Sequence, residues 1–227
     1  MVGFSDINKT VNEVSKISTD MPKFGENIKP EYIKDSNEAN KKLSINENKN
    51  NIETRQLNEN EKNNIQEKTG WNNEQMKKCT IGENGIVYLK CDNEHLEGKK
   101  HPNCGVEYVR KRIEINGIKI EVVVPEFPSE FDVNLPENLL KASNKEQFKE
   151  CKAQLMHEIE RNPKLRSKFT KEQIEDIMDK DTLVPEGYVW HHDAEVGKMQ
   201  LVKVELHDRT QGGAAHTGGK SLWGGGY

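Results

Sequence analysis

Residues 187–207 of the chain read GYVWHHDAEVGKMQLVKVELH, and this stretch decides the fold of the C-terminal part. Residues 187–192 predict a short strand, residues 193–197 a turn and residues 198–202 the returning strand. Residues 203–209 fit the start of a helix. Histidines stand on the first strand and on the helix, so the order strand, loop, strand, helix directs imidazoles from two elements toward one point. This order is typical of a ββα-metal arrangement.

Four of the seven histidines in the chain lie in this region or shortly after it: His191, His192, His207 and His216. Imidazole is a common transition-metal ligand and a natural general base near neutral pH. Neighbouring residues on a strand point to opposite faces, so His191 and His192 are expected to divide two tasks. One binds a cation that neutralises a scissile phosphate, and the other deprotonates water. Gln200, on the returning strand, is placed to hydrogen-bond the base or its flanking backbone and so to fix the orientation of the imidazole.

The spacing alone leaves a second interpretation open. A Trp-His-His run is also found at core edges and on surface strands that carry no chemistry, and a glycine-rich end is often only a flexible tail. The sequence after the hairpin therefore has to add information before a metal site is favoured.

The composition limits the size and the class of the protein. The 227 residues are 33% hydrophobic and 32% charged, with a mean hydropathy of -0.92, so part of the chain builds no core. This length allows one domain and a tail, or two small domains, and excludes a large multidomain enzyme. No secretory signal peptide or bilayer-spanning run is present, so we expect a soluble chain with no membrane association.

Residues 1–70 differ in composition from the rest. Residues 1–68 contain thirteen Asn and few aromatics, and residues 46–68 are nearly all polar. Such a segment cannot offset its ordering entropy by burial, so it is predicted to be a largely disordered or weakly helical linker or trafficking segment. A folded domain is predicted over residues 71–227, with its metal core at about 185–227.

The middle of the chain predicts a hairpin and then helices, which makes the fold class α+β. Apolar residues alternate on both sides of Asn116-Gly117, a pair that favours a type I′ turn. Pro125, Pro128 and Pro136 are expected to end the pairing and to start an extended crossing segment. Capping boxes at Ser143/Glu146 and Thr170/Gln173 predict two packing helices, the first ended by Asn162-Pro163.

The cysteines and the charges give weaker signals. Cys79, Cys91 and Cys104, with the histidines between them, lack the C-x2-C spacing of a structural zinc site, so reduced thiols are the better interpretation. Residues 96–227 carry 20 Lys and Arg against 22 Asp and Glu, so any phosphate binding has to be local. Two clusters are candidates, and both are also typical of a solvated surface: Lys99, Lys100, Arg110, Lys111 and Arg112, and separately Lys164, Arg166, Lys168 and Lys171.

Several motifs together resemble the WHH family of nuclease toxin domains. They are PEGYVWHH at residues 185–192, GKMQLV at 197–202, Leu206-His207 and HTGG at 216–219. The WHH family belongs to the HNH/endonuclease VII superfamily, which has a treble-clef, ββα-metal core. The following KSLWGGG resembles the family's tail, and shorter motifs extend the likeness upstream to about Leu96.

The resemblance implies a role for each matching residue. His191 resembles a metal ligand, His192 the general base and His207 a second ligand. His216 is either a third ligand or a phosphate contact, because residues 208–215 separate it from His207 by more than the family pattern does. The expected cofactor is one divalent ion, with Mg²⁺, Mn²⁺, Zn²⁺ and Ni²⁺ all open.

The resemblance also implies a biological setting. It predicts the effector domain of a bacterial polymorphic toxin, exported or delivered by a larger system, that cleaves DNA in the cytoplasm of a target cell. A cognate immunity protein is then the expected partner. An RNA-cleaving toxin on the same scaffold and a non-catalytic, zinc-stabilised binding module remain alternatives.

Overall fold

The computed structural model describes residues 53–223, which form a mixed α+β unit with two sheets and seven α-helices. This confirms the α+β class that the sequence predicts. The strands are β1 (Thr54–Gln56), β2 (Cys79–Gly82), β3 (Val87–Leu89), β4 (Glu107–Ile115), β5 (Ile118–Glu126), β6 (Phe131–Asn134), β7 (Tyr188–His192) and β8 (Lys198–Lys203). The helices are α1 (Glu59–Thr69), α2 (Asn73–Lys77), α3 (Asn144–Arg161), α4 (Pro163–Arg166), α5 (Lys171–Met178), α6 (Val204–His207) and α7 (Gly219–Leu222).

The described residues begin inside the segment that was predicted to be a linker. Residues 53–70 hold β1, which pairs with β2, and α1, which starts with a capping box at Asn58. Trp71 then links this part to the C-terminal end, because its indole Nε1 donates to the carbonyl oxygen of Leu222 at 2.6 Å. Residues 1–52 lie outside the described residues, so the predicted boundary at residue 70 stays a prediction.

The larger sheet has the order β1-β2-β3-β5-β4, and all its pairings are antiparallel except β3 with β5. The predicted hairpin is its longest part. Asn116 and Gly117 form the turn with φ values of 48° and 82°, as the Asn-Gly pair predicts. The strands on either side keep their register from Ile115 opposite Ile118 to Glu107 opposite Glu126.

The expectation that Pro125 ends this pairing is wrong. Pro125 lies inside β5, opposite Tyr108, and the strand continues to Glu126. The N–H of Tyr108 donates to Lys99 rather than to β5, so this is a position without ladder hydrogen bonds between β4 and β5. On its other side β5 has lost its neighbour, because β3 pairs no further than Val122. A proline here removes no ladder hydrogen bond.

The smaller sheet carries the hairpin of residues 187–203 and has the order β6-β8-β7. The sequence predicts β7 and β8 but not β6, which pairs antiparallel with β8 from Phe131 opposite Leu201 to Asn134 opposite Lys198. Strand β8 is therefore central, and both His191 and His192 lie on an edge strand that is buried at this end.

The predicted capping boxes start α3 and α5, as Ser143 and Thr170 each accept from the third residue of the helix. The inner face of α3 carries Cys151, Leu155 and Ile159, all buried, and α3 lies against β6, α4 and α5. None of the helices in residues 53–223 is both long and apolar enough to cross a bilayer.

Candidate metal centre

Strand β7 presents two adjacent histidines to two different environments. The ring of His191 packs against Phe127, His207 and His216, whereas the ring of His192 packs against Phe148 and Trp223. Side chains that alternate along a strand explain this division, as the sequence analysis expected.

Three histidines form a cluster on the first of these faces. The ring nitrogens available from His191, His207 and His216 all lie within 4.8 Å of one another. The ring centroids are 5.2 Å apart for His191 and His207, and 4.7 Å apart for each of the other two pairs. Within residues 53–223 this is the one group of three or more metal-ligating side chains.

The loop after α6 explains how His216 reaches the other two rings. Helix α6 ends at His207, and Gly213 lies so close to the helix that a Cβ on it would be 2.7 Å from backbone atoms of Leu206, His207 and Asp208. Gly213 and Ala214 donate to the carbonyl oxygens of Asp208 and Leu206. The chain therefore turns back along the helix and places His216 beside His207.

Phe127 lies next to all three imidazoles. Its ring centroid is 4.9 Å from that of His191 and 5.4 Å from those of His207 and His216. Phe127 follows directly after β5 and is buried, so it keeps water away from one side of the cluster. Phe127 is not among the site residues that the sequence predicts, because a single aromatic residue next to a strand gives no signal for a metal centre.

The residues present fit a divalent ion. Nδ1 of His191 is buried and has no hydrogen-bond partner within residues 53–223, and a bound metal ion or a hydrogen-bond partner would satisfy it. Burial lowers the pKa of His207 to about 4. Burial also lowers the pKa of His216, and it lowers the pKa of His191 well below its ordinary value. Neutral imidazole is the form that binds metal.

His192 has a different set of neighbours. Its Nε2 lies 2.8 Å from Oε1 of Gln147, which is fully buried on α3. Burial, together with the nearby ammonium group of Lys220, lowers the pKa of His192 to about 4. A neutral imidazole next to the three-histidine cluster is suited to accept a proton.

Gln200 and Trp190 lie on the same hairpin but do not contact His192 through hydrogen bonds. Gln200 stands opposite His191 in the register, and its amide donates to Oδ1 of Asp132 at 3.4 Å. The side-chain partner of His192 is therefore Gln147 and not Gln200. Trp190 is buried and donates to the carbonyl oxygen of Leu183, as expected of a packing residue.

The four histidines line one cleft of about 550 Å³. Asn144, Phe148, Arg209 and Gly218 also line it. Arg209 is exposed and makes no side-chain hydrogen bond or ion pair within the described part of the chain. The cleft thus combines a cluster of ring nitrogens, a separate imidazole and a free guanidinium group.

Many of the cations in the two predicted clusters are neutralised by acidic neighbours. The pairs are Arg110 with Glu94 and Glu97, Lys111 with Asp193, Arg112 with Glu121, Lys168 with Glu130 and Lys171 with Glu175. The net positive charge of these two clusters is therefore smaller than a count of their Lys and Arg residues indicates.

The cysteines do not assemble a zinc site in the described residues. Cys79, Cys91, Cys104 and Cys151 are all free thiols, and no pair of them joins a group of metal-ligating side chains. Cys104 lies 3.3 Å from Nδ1 of His101, while Cys91 donates to a backbone carbonyl. The interpretation as reduced thiols agrees with this arrangement.

The cleft and its histidines lie within a region that matches a known protein family. The model of that family, described as the DNase/tRNase domain of colicin-like bacteriocin, matches residues 116–218. No curated protein and no solved structure matches the chain significantly. The family match spans β5 to the N-terminal end of α7 and supports a nuclease toxin domain, a hydrolase that acts on nucleic acid, in this part of the chain.

Proposed function

We propose that this chain carries a metal-dependent endonuclease of the HNH type, related to the WHH toxin domains, that hydrolyses DNA with little sequence specificity. The observation that supports it best is the cluster of His191, His207 and His216, whose ring nitrogens lie within 4.8 Å of one another, in the same cleft as His192. On this proposal β7, β8 and α6 are the ββα-metal core.

His191, His207 and His216 would hold the ion, which would act as a Lewis acid toward the scissile phosphate and its leaving oxygen. Imidazole ligands suit Zn²⁺ and Ni²⁺ better than the oxygen-preferring Mg²⁺. Phe127 packs against the three rings and limits the access of water from that side.

His192 acts as the general base in this proposal. Its ring is neutral near pH 7, because burial holds its pKa at about 4, and it lies in the cleft beside the three ligands. It takes a proton from a water molecule, and the oxygen of that water attacks phosphorus as the bond to the leaving oxygen breaks.

Arg209 and Asn144 are the side chains we expect to contact the phosphate backbone. Both line the cleft, and Arg209 has no acidic partner within residues 53–223. The helix in the site, α6, is a single turn and offers no surface for reading base edges in a groove. Contacts to phosphates rather than bases predict weak, salt-sensitive binding with little sequence preference.

The setting that we propose is competition between bacteria. The description of the matching family names colicin-like bacteriocins, and this supports a delivered effector that acts in a target cell. On this view the protein is a polymorphic toxin, acts in the target cytoplasm and has a cognate immunity protein in the producing cell.

RNA is the second candidate substrate, because the description of the matching family includes tRNase domains as well as DNases. The same base and cation can hydrolyse either phosphodiester, so the cleft itself does not choose between them.

Cleavage of plasmid DNA, compared with cleavage of total RNA, tests the proposal. The full chain is assayed with Mg²⁺, Mn²⁺, Zn²⁺ and Ni²⁺, beside His192→Ala and, as a control, His157→Ala, which changes an exposed histidine on α3. We expect plasmid nicking in the wild type and in the control. We expect a loss of about 10²–10⁴-fold in His192→Ala, the usual contribution of a general base.

Metal binding by His192→Ala separates the enzyme from a structural module. The variant should still bind Zn²⁺ in a calorimetric titration, because His192 is not one of the three clustered rings. A wild-type protein that binds zinc tightly but cuts neither substrate with any of the four ions would instead support the zinc-stabilised binding module.

A further inference from the structure

Gln147 is a fully buried polar residue on the helix that packs against the site. It shares the inner face of α3 with Cys151, Leu155 and Ile159, which are apolar and buried. A buried amide costs free energy unless its groups are hydrogen-bonded, so a glutamine among these residues needs a reason. Its contacts supply one.

The orientation of the Gln147 amide is fixed by two backbone carbonyl groups. Nε2 donates to the carbonyl oxygen of Leu139 at 2.8 Å and to that of Leu140 at 3.1 Å. Carbonyl oxygens only accept hydrogen bonds, so the amino end of the amide has to face them. A flipped amide would place an oxygen against two oxygens. Oε1 is therefore the atom that faces His192.

This orientation determines which nitrogen of His192 carries a proton. Oε1 of Gln147 lies 2.8 Å from Nε2 of His192, and an amide oxygen can only accept. Nε2 has to donate, both in the neutral ring and in the imidazolium ion. The proton that comes and goes is then the one on Nδ1.

The other nitrogen of His192, Nδ1, faces no hydrogen-bond partner in the described part of the chain. His192 is one of the residues that line the cleft. The ring is held between Phe148 and Trp223, at centroid distances of 5.9 and 5.6 Å.

We propose that Gln147 is a positioning residue that keeps a proton on Nε2 of His192, so that Nδ1 is the atom that receives the proton from the attacking water. The inference rests on the proposed function, in which His192 is the base. The water loses one proton to Nδ1, its oxygen bonds to phosphorus, and the leaving oxygen departs with the electron pair of the broken bond. Gln147 Oε1 then accepts from an imidazolium N–H, which strengthens that hydrogen bond.

Without Gln147, His192 can take the tautomer that carries its proton on Nδ1. In that tautomer Nδ1 has no free lone pair with which to accept a proton from water. An orienting hydrogen bond of this kind in a metal site is typically worth 10–100-fold in activity. We therefore expect Gln147→Met, which keeps the length of the side chain but has no amide, to lower kcat by about 10–100-fold with KM changed less than about threefold.

The first test needs no variant. Nitrogen-15 NMR of the full chain with labelled histidine reports the tautomer of each ring, in the metal-free form and with Zn²⁺ added. The signals of His192 are identified by their loss in His192→Ala. We expect His192 to be protonated on Nε2 in both forms, and a proton on Nδ1 in the neutral ring would overturn the proposal.

The second test compares Gln147→Met with a matched control. Gln154→Met makes the same substitution on the same helix, where the amide contacts only Glu150. We expect Gln147→Met alone to populate both tautomers of His192 and to lose kcat, while both variants bind Zn²⁺ as the wild type does. An unchanged tautomer and kcat in a folded Gln147→Met would contradict the proposal.

Different results would refute the role of His192 and the role of Gln147. If the wild-type ring is protonated on Nε2 but His192→Ala cleaves at the wild-type rate, the role of His192 as base is refuted, and Nδ1 as proton acceptor with it. If His192→Ala is inactive but the wild-type ring is protonated on Nδ1, the proposed function stands and the role of Gln147 is refuted.

Discussion

Gly219 lies directly against the backbone of Asp193. A Cβ atom on Gly219 would overlap the carbonyl oxygen of Asp193 and would lie 2.5 Å from that of His192. The indole of Trp223 donates to the same Asp193 carbonyl at 3.0 Å, while the Asp193 carboxylate accepts from Lys111 at 2.5 Å. Helix α7 and strand β4 therefore both fix the end of β7, directly beside the two adjacent histidines.

Gly219→Ala should destabilise the protein strongly. The added methyl group meets backbone rather than a flexible side chain, so α7 has to move away from β7. We expect a loss of about 3 kcal/mol in the free energy of unfolding, the upper end of what overpacking usually costs. Equilibrium unfolding in urea, followed by tryptophan fluorescence, measures this loss.

The control for this prediction is Gly98→Ala. Gly98 has a φ of 71°, but a Cβ there meets nothing within 4 Å, so the substitution costs only backbone strain of about 1 kcal/mol. Equal losses in the two variants would show that the close approach at Gly219 does not matter.

Gly213→Ala should weaken metal binding without touching a ligand. A Cβ on Gly213 would be 2.7 Å from the backbone of α6, so the loop has to shift and carry His216 with it. We expect the dissociation constant for Zn²⁺, measured by competition with a chelator, to rise by about 10–100-fold, the range seen when a ligand loses its support. His216→Ala should show a loss at least as large.

Gln211→Ala changes an exposed side chain in the same loop and serves as the control for Gly213→Ala. Its affinity for Zn²⁺ should equal that of the wild type. Wild-type affinity in Gly213→Ala would mean that the return of the loop along α6 does not position His216.

The sequence predicts the parts of the fold that depend on local signals. The Asn116-Gly117 turn and the capping box at Ser143 depend on residues within a few positions of one another, and both are present. The strand-to-helix order that carries His191 and His207 is also local, and both rings join the cluster.

The parts that the sequence did not predict depend on contacts between distant residues. Strand β6 pairs with β8 about 70 residues later, and nothing in Phe131–Asn134 itself reveals that partner. Gln147 is 45 residues from His192 and looks like one polar position on an apolar helix face. The placement of His216 depends on how closely Gly213 approaches α6, which is a property of the folded backbone.

Arg209→Ala should reduce nucleic-acid binding more than the loss of an acid-paired cation in the two clusters. Arg209 lines the cleft and has no acidic partner within residues 53–223, whereas Arg112 is paired with Glu121 at 2.6 Å. In a His192→Ala background, which binds without cutting, we expect the affinity for a short DNA duplex to fall severalfold. The slope of log affinity against log salt should decrease by about 1, the value for one lost phosphate contact.

Arg112→Ala, in the same background, is the matched control and should leave both the affinity and the salt slope unchanged. Fluorescence anisotropy at several salt concentrations measures both quantities. A larger effect at Arg112 than at Arg209 would place the backbone of the nucleic acid on β4 and not in the cleft.

The cysteines should differ sharply in reactivity. Burial raises the pKa of Cys79 and of Cys151 to about 12, above the ordinary value near 9. A raised pKa means less thiolate at any given pH, so at pH 8 these two thiols hold about 10³-fold less of the reactive form than an ordinary cysteine.

Cys104 is only partly buried, beside His101. Iodoacetamide at pH 8, with the sites mapped by mass spectrometry, should modify Cys104 first and leave Cys79 and Cys151 unmodified until urea unfolds the chain. Native-state modification of Cys79 or Cys151 at the rate of Cys104 would show that the core around β2 and α3 is open to solvent.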